Sequence, residues 1–287
     1  MQPMIVSYHP CIVADRNALC AGRLPDETDR QIMAEADAVI LPQGCSKPLY
    51  ETAKSACSHV WPCYDARFTY PGKTGQTRLF QSVGLPHPDT EVYAGTAEYL
   101  ARTDNGSRPP FSFPMVLKLD WGGEGETVFR IDDLAALHRW MDHMARWEKT
   151  GQSGFLLQRY VPCRNRTLRV AVIGLHRIVY WRRQSDPDKF HANLDKGGVI
   201  DVDVEPDIRD AALEAIERLC SAARIHLAGV DLLFSEEEKD PFPLFLEINY
   251  FFGRKGLGGS EAYYRLLLEA ARHWVRSIGL DDAAIRA

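Results

Sequence analysis

Asp231, Glu247 and Asn249 belong to two apolar runs, Val230–Phe234 and Pro243–Ile248, which an acidic, proline-containing segment (235–241) joins. The pattern predicts a β-hairpin whose strands are buried on at least one face. Side chains alternate along a strand, so Glu247 and Asn249 emerge together while Leu246 and Ile248 point into a core. Asp231 interrupts the partner run between Val230 and Leu232. An acid inside an apolar strand is costly unless it is paired or bound to a metal. Three hard oxygen donors from adjacent strands suit Mg²⁺, which usually shares such ligands with phosphates. The same acids could instead be held by buried arginines or lysines, and the hairpin alone leaves both readings open.

Other residue types along the chain point to phosphate chemistry. Lys73 lies in Gly72-Lys73-Thr74, which resembles the end of a phosphate loop. That motif needs a glycine where Arg67 stands, and no buried strand runs into it. What the segment does predict is a helix over 77–83, closed by Gly84, with Lys73 at its approach, where free amides favour an anion. Lys118 is embedded in the strand Pro114–Leu119. A glycine loop follows (Gly122, Gly123, Gly125), and then a second strand, Thr127–Ile131. Such a hairpin tip can lie over a phosphate chain through its amides, with the strand lysine neutralising charge. Phe155–Val161 reads as an apolar strand whose end can hydrogen-bond a purine. Thr167–Gly174 and Arg177–Arg183 form a hairpin carrying Arg169, Arg182 and Arg183, a residue type suited to bidentate phosphate or carboxylate recognition. Any one of them could equally be a surface arginine.

The elements that must position these groups follow a mixed pattern. Met4–Ser7, Ala38–Leu41 and His59–Cys63 read as short strands separated by helices over 26–36 and 47–57, a small α/β unit. It has no Gly-x-Gly-x-x-Gly element, which argues against a dinucleotide site there. Residues 132–149 predict an amphipathic helix with Leu134, Leu137, Trp140, Met141 and Met144 inward, and 208–224 and 261–278 predict two more helices. The 287 residues carry a net charge of −5, so no general attraction to nucleic acid or an anionic membrane is expected. No apolar run approaches a spanning length, and the first residues lack a basic leader and an apolar segment. Seven scattered cysteines without a Cys-x-x-Cys pair read as reduced thiols, and the expected location is the cytoplasm.

Taken in order, these motifs resemble the ATP-grasp ligases. The series runs from the lysine before a helix, through the strand lysine and glycine loop, to Gln158-Arg159-Tyr160-Val161. It continues with Leu168–Gly174, Asn193–Gly198, Gly229-Val230-Asp231 and Glu247-Ile248-Asn249. The nearest branch holds the ribosomal-protein glutamate ligases and bacterial glutathione synthetase. The resemblance implies an α/β (α+β) class fold in three parts: a pre-ATP-grasp domain over 1–70, a lid subdomain over 71–158, and a C-terminal subdomain over 159–287 with the metal site. It implies an ATP-dependent carboxylate–amine ligase acting through an acyl phosphate, with ATP and Mg²⁺ (Mn²⁺ as an alternate ion) as cofactors. Small-molecule or peptide carboxylates and amines would be the partners; no nucleic acid or membrane is expected, and a homo-oligomer is left open.

By the same resemblance, Lys73, Lys118 and the loop 122–125 would contact phosphates, and Gln158, Tyr160 and Val161 would line the adenine site. Arg169 and Arg182 or Arg183 would act catalytically, and Asp231, Glu247 and Asn249 would hold the metal. Asn193, Lys196, Gly197, Gly198 and Arg254 would border substrate. The sequence departs from relatives at Arg159, where many have an acid, at Thr167-Leu168-Arg169, and at the aromatic turn Tyr250–Gly253. A phosphotransferase on the same fold, or a nucleotide-binding module without turnover, are the competing readings.

Overall fold

The structure is a computed structural model and describes residues 3–122, 126–184, 186, 197–238 and 242–287. Its elements in chain order are β1 (Ile5–Ser7), β2 (Arg16–Asn17), α1 (Glu27–Ala34), β3 (Ala38–Ile40), α2 (Lys47–Ala56), β4 (Val60–Trp61) and α3 (Asp65–Thr69). Next come α4 (Gly72–Val83), β5 (Thr90–Tyr93), α5 (Thr96–Arg102), β6 (Met115–Leu119), β7 (Val128–Ile131), α6 (Leu134–Glu148) and β8 (Phe155–Arg159). The chain ends with β9 (Arg166–Ile173), β10 (His176–Gln184), β11 (Gly198–Asp201), α7 (Pro206–Ala223), β12 (Leu227–Leu233), β13 (Leu244–Asn249) and α8 (Ser260–Ser277).

Three sheets result. The first, β2-β1-β3-β4, is parallel throughout. Ile5, Val6, Ala38, Val39 and Ile40 are all buried, as a parallel strand covered on both faces requires. A capping box between Asp26 and Asp29 starts α1, and Ser46 caps α2. The second sheet, β5-β8-β6-β7, is antiparallel and packs Met115, Leu117, Leu119, Phe155 and Leu157 against Tyr99, Leu137, Met141 and Met144 of α5 and α6. The expected inward face of α6 is correct at those three positions of the helix. Leu134, in its first turn, is 36% exposed, and Trp140 is only half-buried, stacked on Phe129.

The third sheet, β11-β10-β9-β12-β13, is antiparallel. One face (Leu168, Val170, Val172, Val230, Leu232) shares a continuous core with α7 and with the helices of the first sheet. The end of its other face nearest Ile173 and Leu227 lies under α8. What remains uncovered on that second face is where the polar residues gather.

Helix α4 joins these parts, and it begins five residues earlier than expected. Asp120, at the end of β6, accepts from the Thr74 amide (2.8 Å) and hydroxyl (2.9 Å), so a carboxylate distant in sequence caps the helix. One turn on, Gln76 uses its amide as a backbone mimic. Its Oε1 accepts from Ile248 N–H and its Nε2 donates to Ile248 C=O, both at 2.8 Å. Pro86 C=O takes the Phe245 amide at 2.8 Å, so the free edge of β13 is paired by α4 and its exit loop.

Gln76→Leu should leave both Ile248 groups without partners. The expected loss is roughly 1–3 kcal/mol, read as a lowered urea midpoint, whereas an unchanged midpoint would show that water replaces the side chain freely.

Candidate active site

The strand registers set one row of side chains across four strands. Tyr180 on β10 stands opposite Arg169 on β9, Arg169 opposite Asp231 on β12, and Asp231 opposite Glu247 on β13. The adjacent row carries Gly229 and Asn249, which are also paired. Two acids directly opposite one another repel unless neighbours neutralise them. Arg169 NH2 donates to Asp231 Oδ2 at 2.9 Å while its Nε donates to Oδ1, a bidentate pair. Arg182 NH2 lies 2.7 Å from Asp231 Oδ2, and Asn249 Nδ2 donates to the same oxygen at 3.2 Å. Burial pushes the Asp231 carboxyl up, but the charges and hydrogen bonds of Arg169 and Arg182 outweigh it and hold the pKa below its ordinary value. For Asp231, therefore, the arginine reading of the hairpin describes the arrangement seen. Glu247 differs: it is half-buried and makes no hydrogen bond or ion pair among the described residues.

The second sheet supplies the opposite wall. Lys118 shares a β6 face with Val116, and the register sets these two opposite Leu156 and Gln158 of β8. Burial lowers the Lys118 pKa to about 8; Glu247 and Asp231 raise it, and Lys73 lowers it further. These influences place all four groups about one cleft between the sheets. Lys73, in the first turn of α4, donates to Gly122 C=O and Thr127 Oγ1, both at 3.4 Å, which holds it at the base of the glycine loop. Among the described residues Lys73, Lys118, Arg169 and Arg182 thus face the carboxylates of Asp231 and Glu247, the Asp120 charge being compensated by the helix it caps. The cleft carries an excess of positive charge suited to a polyanion.

Sequence reasoning missed three contributors. Asp120 and Gln76 position Lys73 and the β13 edge from far along the chain. Gly229 makes room for the row, since a Cβ there would stand 2.7 Å from Arg169 NH1 and 3.1 Å from Phe252 Cβ. The glycine between two strand residues was the one available signal.

Other expected residues lie outside the row. Arg183 points to the face opposite Arg182, as alternation demands, and its Nε lies 2.9 Å from Asp201 Oδ2, so it does not join the row. Gln158 Nε2 donates to Thr90 Oγ1 at 2.8 Å, tying β8 to β5. Tyr160 and Val161 border an open groove of about 190 Å³ with Pro86, His87, Arg159 and Leu244. The lysines and the row lie outside that lining. Gly198 begins edge strand β11 opposite Gln184, preceded by Gly197 at φ +90°. Arg254 stands beside the row, beyond the aromatic turn, where Phe252 packs edge-on against Tyr263 at 6.1 Å. Gly123, Gly125, Asn193 and Lys196 lie outside the described residues.

A Mg²⁺-nucleotide can be tested against this chemistry. Glu247 and the Asn249 amide oxygen are hard donors without partners among the described residues, and Arg182 Nε is buried and unpartnered. Together with the cation excess, Glu247 and the Asn249 oxygen fit the group, while both Asp231 oxygens are already engaged by Arg169, Arg182 and the Asn249 amide nitrogen.

The three sheets define an ATP-grasp class of fold. D-cycloserine synthetase DcsG is similar with a TM-score of 0.60 at 17% identity, covering 90% of each chain. A RimK domain ATP-grasp protein from Sphaerobacter thermophilus gives 0.59 at 16% identity, over 82% of this chain and 81% of that one. Residues 77–266 match the RimK-like ATP-grasp domain, and the chain belongs to that family. A probable alpha-L-glutamate ligase 2 from Shewanella sp. (strain MR-4) is 28% identical over 151 residues, 52% of this chain and 46% of that protein. The chain spans about half the length of the curated relatives it matches.

The lowered Lys118 pKa has a sign that can be checked. A lysine whose folded pKa lies below its unfolded value binds fewer protons when folded, so stability rises with pH between about 8 and 10.4. Partial solvent access discounts the penalty to roughly 1–3 kcal/mol. Lys118→Met should stabilise the ligand-free protein at pH 7 and flatten that part of the urea-midpoint profile; a less stable variant with the slope intact would refute the assignment. Gly229→Ala should instead destabilise by about 1–3 kcal/mol through overpacking against Arg169, measured in the same assay.

Proposed function

We propose that the chain is an ATP-dependent carboxylate–amine ligase acting on amino acids or peptides, working through an acyl phosphate. The observation that carries this reading is the cleft itself, where four cations face two carboxylates and one of those carboxylates, Glu247, has no partner among the described residues. Membership of the RimK-like family supports it, as do relatives named alpha-L-glutamate ligase and a neighbour named L-amino acid ligase. In this reading residues 1–70 form a pre-ATP-grasp unit, 71–158 the lid subdomain, and 159–287 the subdomain that holds the metal ligands in a cytoplasmic enzyme.

The residues divide the work by charge. Lys73 and Lys118 neutralise the phosphate chain, and Lys118 takes up a proton more readily once an anion lies beside it. A carboxylate oxygen of one substrate attacks the γ-phosphorus, the bond to ADP breaks, and an acyl phosphate results. The amine of the second substrate attacks the acyl carbon, the C–O bond breaks, phosphate leaves, and the amine loses a proton. Arg169 and Arg182 face the charge that develops on the transferred phosphoryl group, and their bond to Asp231 fixes their orientation beforehand. Asp231, Glu247 and Asn249 would hold Mg²⁺, which would supply further neutralisation of the phosphate charge. Exclusion of water protects the acyl phosphate, a task for the loop that follows Gly122.

Incubating the protein with Mg-ATP and panels of carboxylates and amines, followed by ADP assay and mass spectrometry, tests the proposal. A product equal to the two substrates less water supports ligation. A substrate gaining only phosphate would make it a phosphotransferase, and silence across broad panels would make it a binding module. Glu247→Gln should lower Mg-ATP turnover roughly a hundredfold or more with an unchanged circular-dichroism spectrum; full activity in that variant would remove Glu247 from the metal set.

A further inference from the structure

Beyond the row, three hydrogen-bond donors, Arg254, His9 and Gln43, gather on the rings of Tyr263 and Tyr264 near the start of α8. The Arg254 guanidinium lies over two rings, 4.7 Å from the Tyr263 centroid and 4.5 Å from that of Tyr264. Its NH1 donates to Ser260 Oγ at 3.3 Å, and among the described residues no carboxylate pairs with it. His9, from the loop after β1, meets Tyr264 edge to face at 6.2 Å. Its Nδ1 accepts from the Cys11 amide at 3.0 Å, which leaves the proton on Nε2. Burial, then the charge of Arg254, pulls the His9 pKa down to about 4, so the ring is neutral at pH 7. Gln43, from the loop after β3, accepts from Tyr263 hydroxyl at 2.8 Å through Oε1. That bond turns Nε2 into the free end, and Nε2 is buried without a partner.

We propose that Arg254, His9 and Gln43 form a subsite for the carboxylate of an amino-acid substrate, which also makes the first sheet part of the substrate site. This rests on the ligase reading above. One full positive charge, one neutral N–H and one amide N–H suit a monoanionic carboxylate better than a phosphate dianion. The position is apt for delivering a substrate to the row. Phe252 touches the space beside Gly229 and Arg169 on one side and packs on Tyr263 on the other, so a single aromatic layer separates subsite from row. Phe251, 76% exposed, lies across Gly44 next to Gln43 and offers an apolar surface to a substrate side chain.

The test uses saturation-transfer NMR on the full chain with a mixture of L-amino acids, a matched mixture of their α-amides, and inorganic phosphate. The expected result is binding of one or more acids and of neither the amides nor phosphate. Gln43→Glu keeps the acceptor for Tyr263 while replacing the free donor by an anion, so its melting curve should superpose on that of the parent. Its affinity for the acid should fall about tenfold or more. Arg254→Gln should do the same, with Arg254→Lys recovering part of the loss. The proposal is overturned if amides bind as well as acids, if only phosphate binds, if nothing binds, or if Gln43→Glu changes nothing. Failure of the ligase reading shows separately, as absence of ADP with every substrate pair, and leaves the binding comparison intact.

Discussion

Asp231 is the constraint on which the rest of the cleft depends. It is a charged side chain, 4% exposed, on the interior strand β12 of a five-stranded sheet. Such a charge persists only with excellent partners, and removal of one partner from a buried pair commonly costs 3–5 kcal/mol. Arg169 supplies the bidentate bond from the neighbouring strand and Arg182 reaches the same oxygen from the next row. The sheet must then leave space for two long side chains over strand β12. Gly229 leaves it for Arg169, and Gly256 leaves it for the Tyr180 ring that ends the row. Because the arginines satisfy Asp231, Glu247 is left as the acid without a salt bridge among the described residues, and its charge acts on Lys118 from the other sheet. Electrostatics therefore link two sheets whose described residues fall in separate hydrophobic cores.

Helix α4 turns that electrostatic link into a fixed geometry. Its first turn is tied to the end of β6 through Thr74 and Asp120 and its next turn to β13 through Gln76, and Lys73 directly precedes the first attachment. The Gly-Lys-Thr sequence thus holds Lys73 against the start of the glycine loop without making a phosphate loop. The amide at its helix start is satisfied by a protein carboxylate, leaving the lysine head group as the part free to meet a ligand.

Local patterning carried most of the fold. Burial on both faces made β1 and β3 readable as apolar runs, period 3.6 made α6, α7 and α8 readable, and alternation put Glu247 and Asn249 on one face. What escaped was non-local. Nothing near Pro71 announces a helix start, since the cap comes from Asp120, 46 residues from Thr74. β5 escaped because Thr90–Tyr93 is half polar and gains its place only by pairing with β8. Adjacent arginines 182 and 183 looked interchangeable, although alternation assigns them to opposite faces once the register with Thr167 is known. The hairpin could announce an acid in need of partners; only the register could show that Asp231 meets Arg169 while Glu247 faces the cleft.

The aromatic turn after Asn249 has a structural logic that separates two kinds of charge. Tyr250 packs against Tyr64 in the core that joins the first and third sheets, and Phe252 packs under α8. With both anchored, Phe251 must project outward and Arg254 must emerge over Tyr263 and Tyr264. The turn therefore sets an apolar wall between the strongly positive cleft and a weaker positive site beyond it. A polyanion gains most in the first, where several cations act at short range. A monoanion loses little by settling in the second, where one guanidinium and neutral donors match its single charge. Two differently charged reactants can thus be sorted onto opposite sides of one phenyl ring and still lie within reach of the same row of side chains.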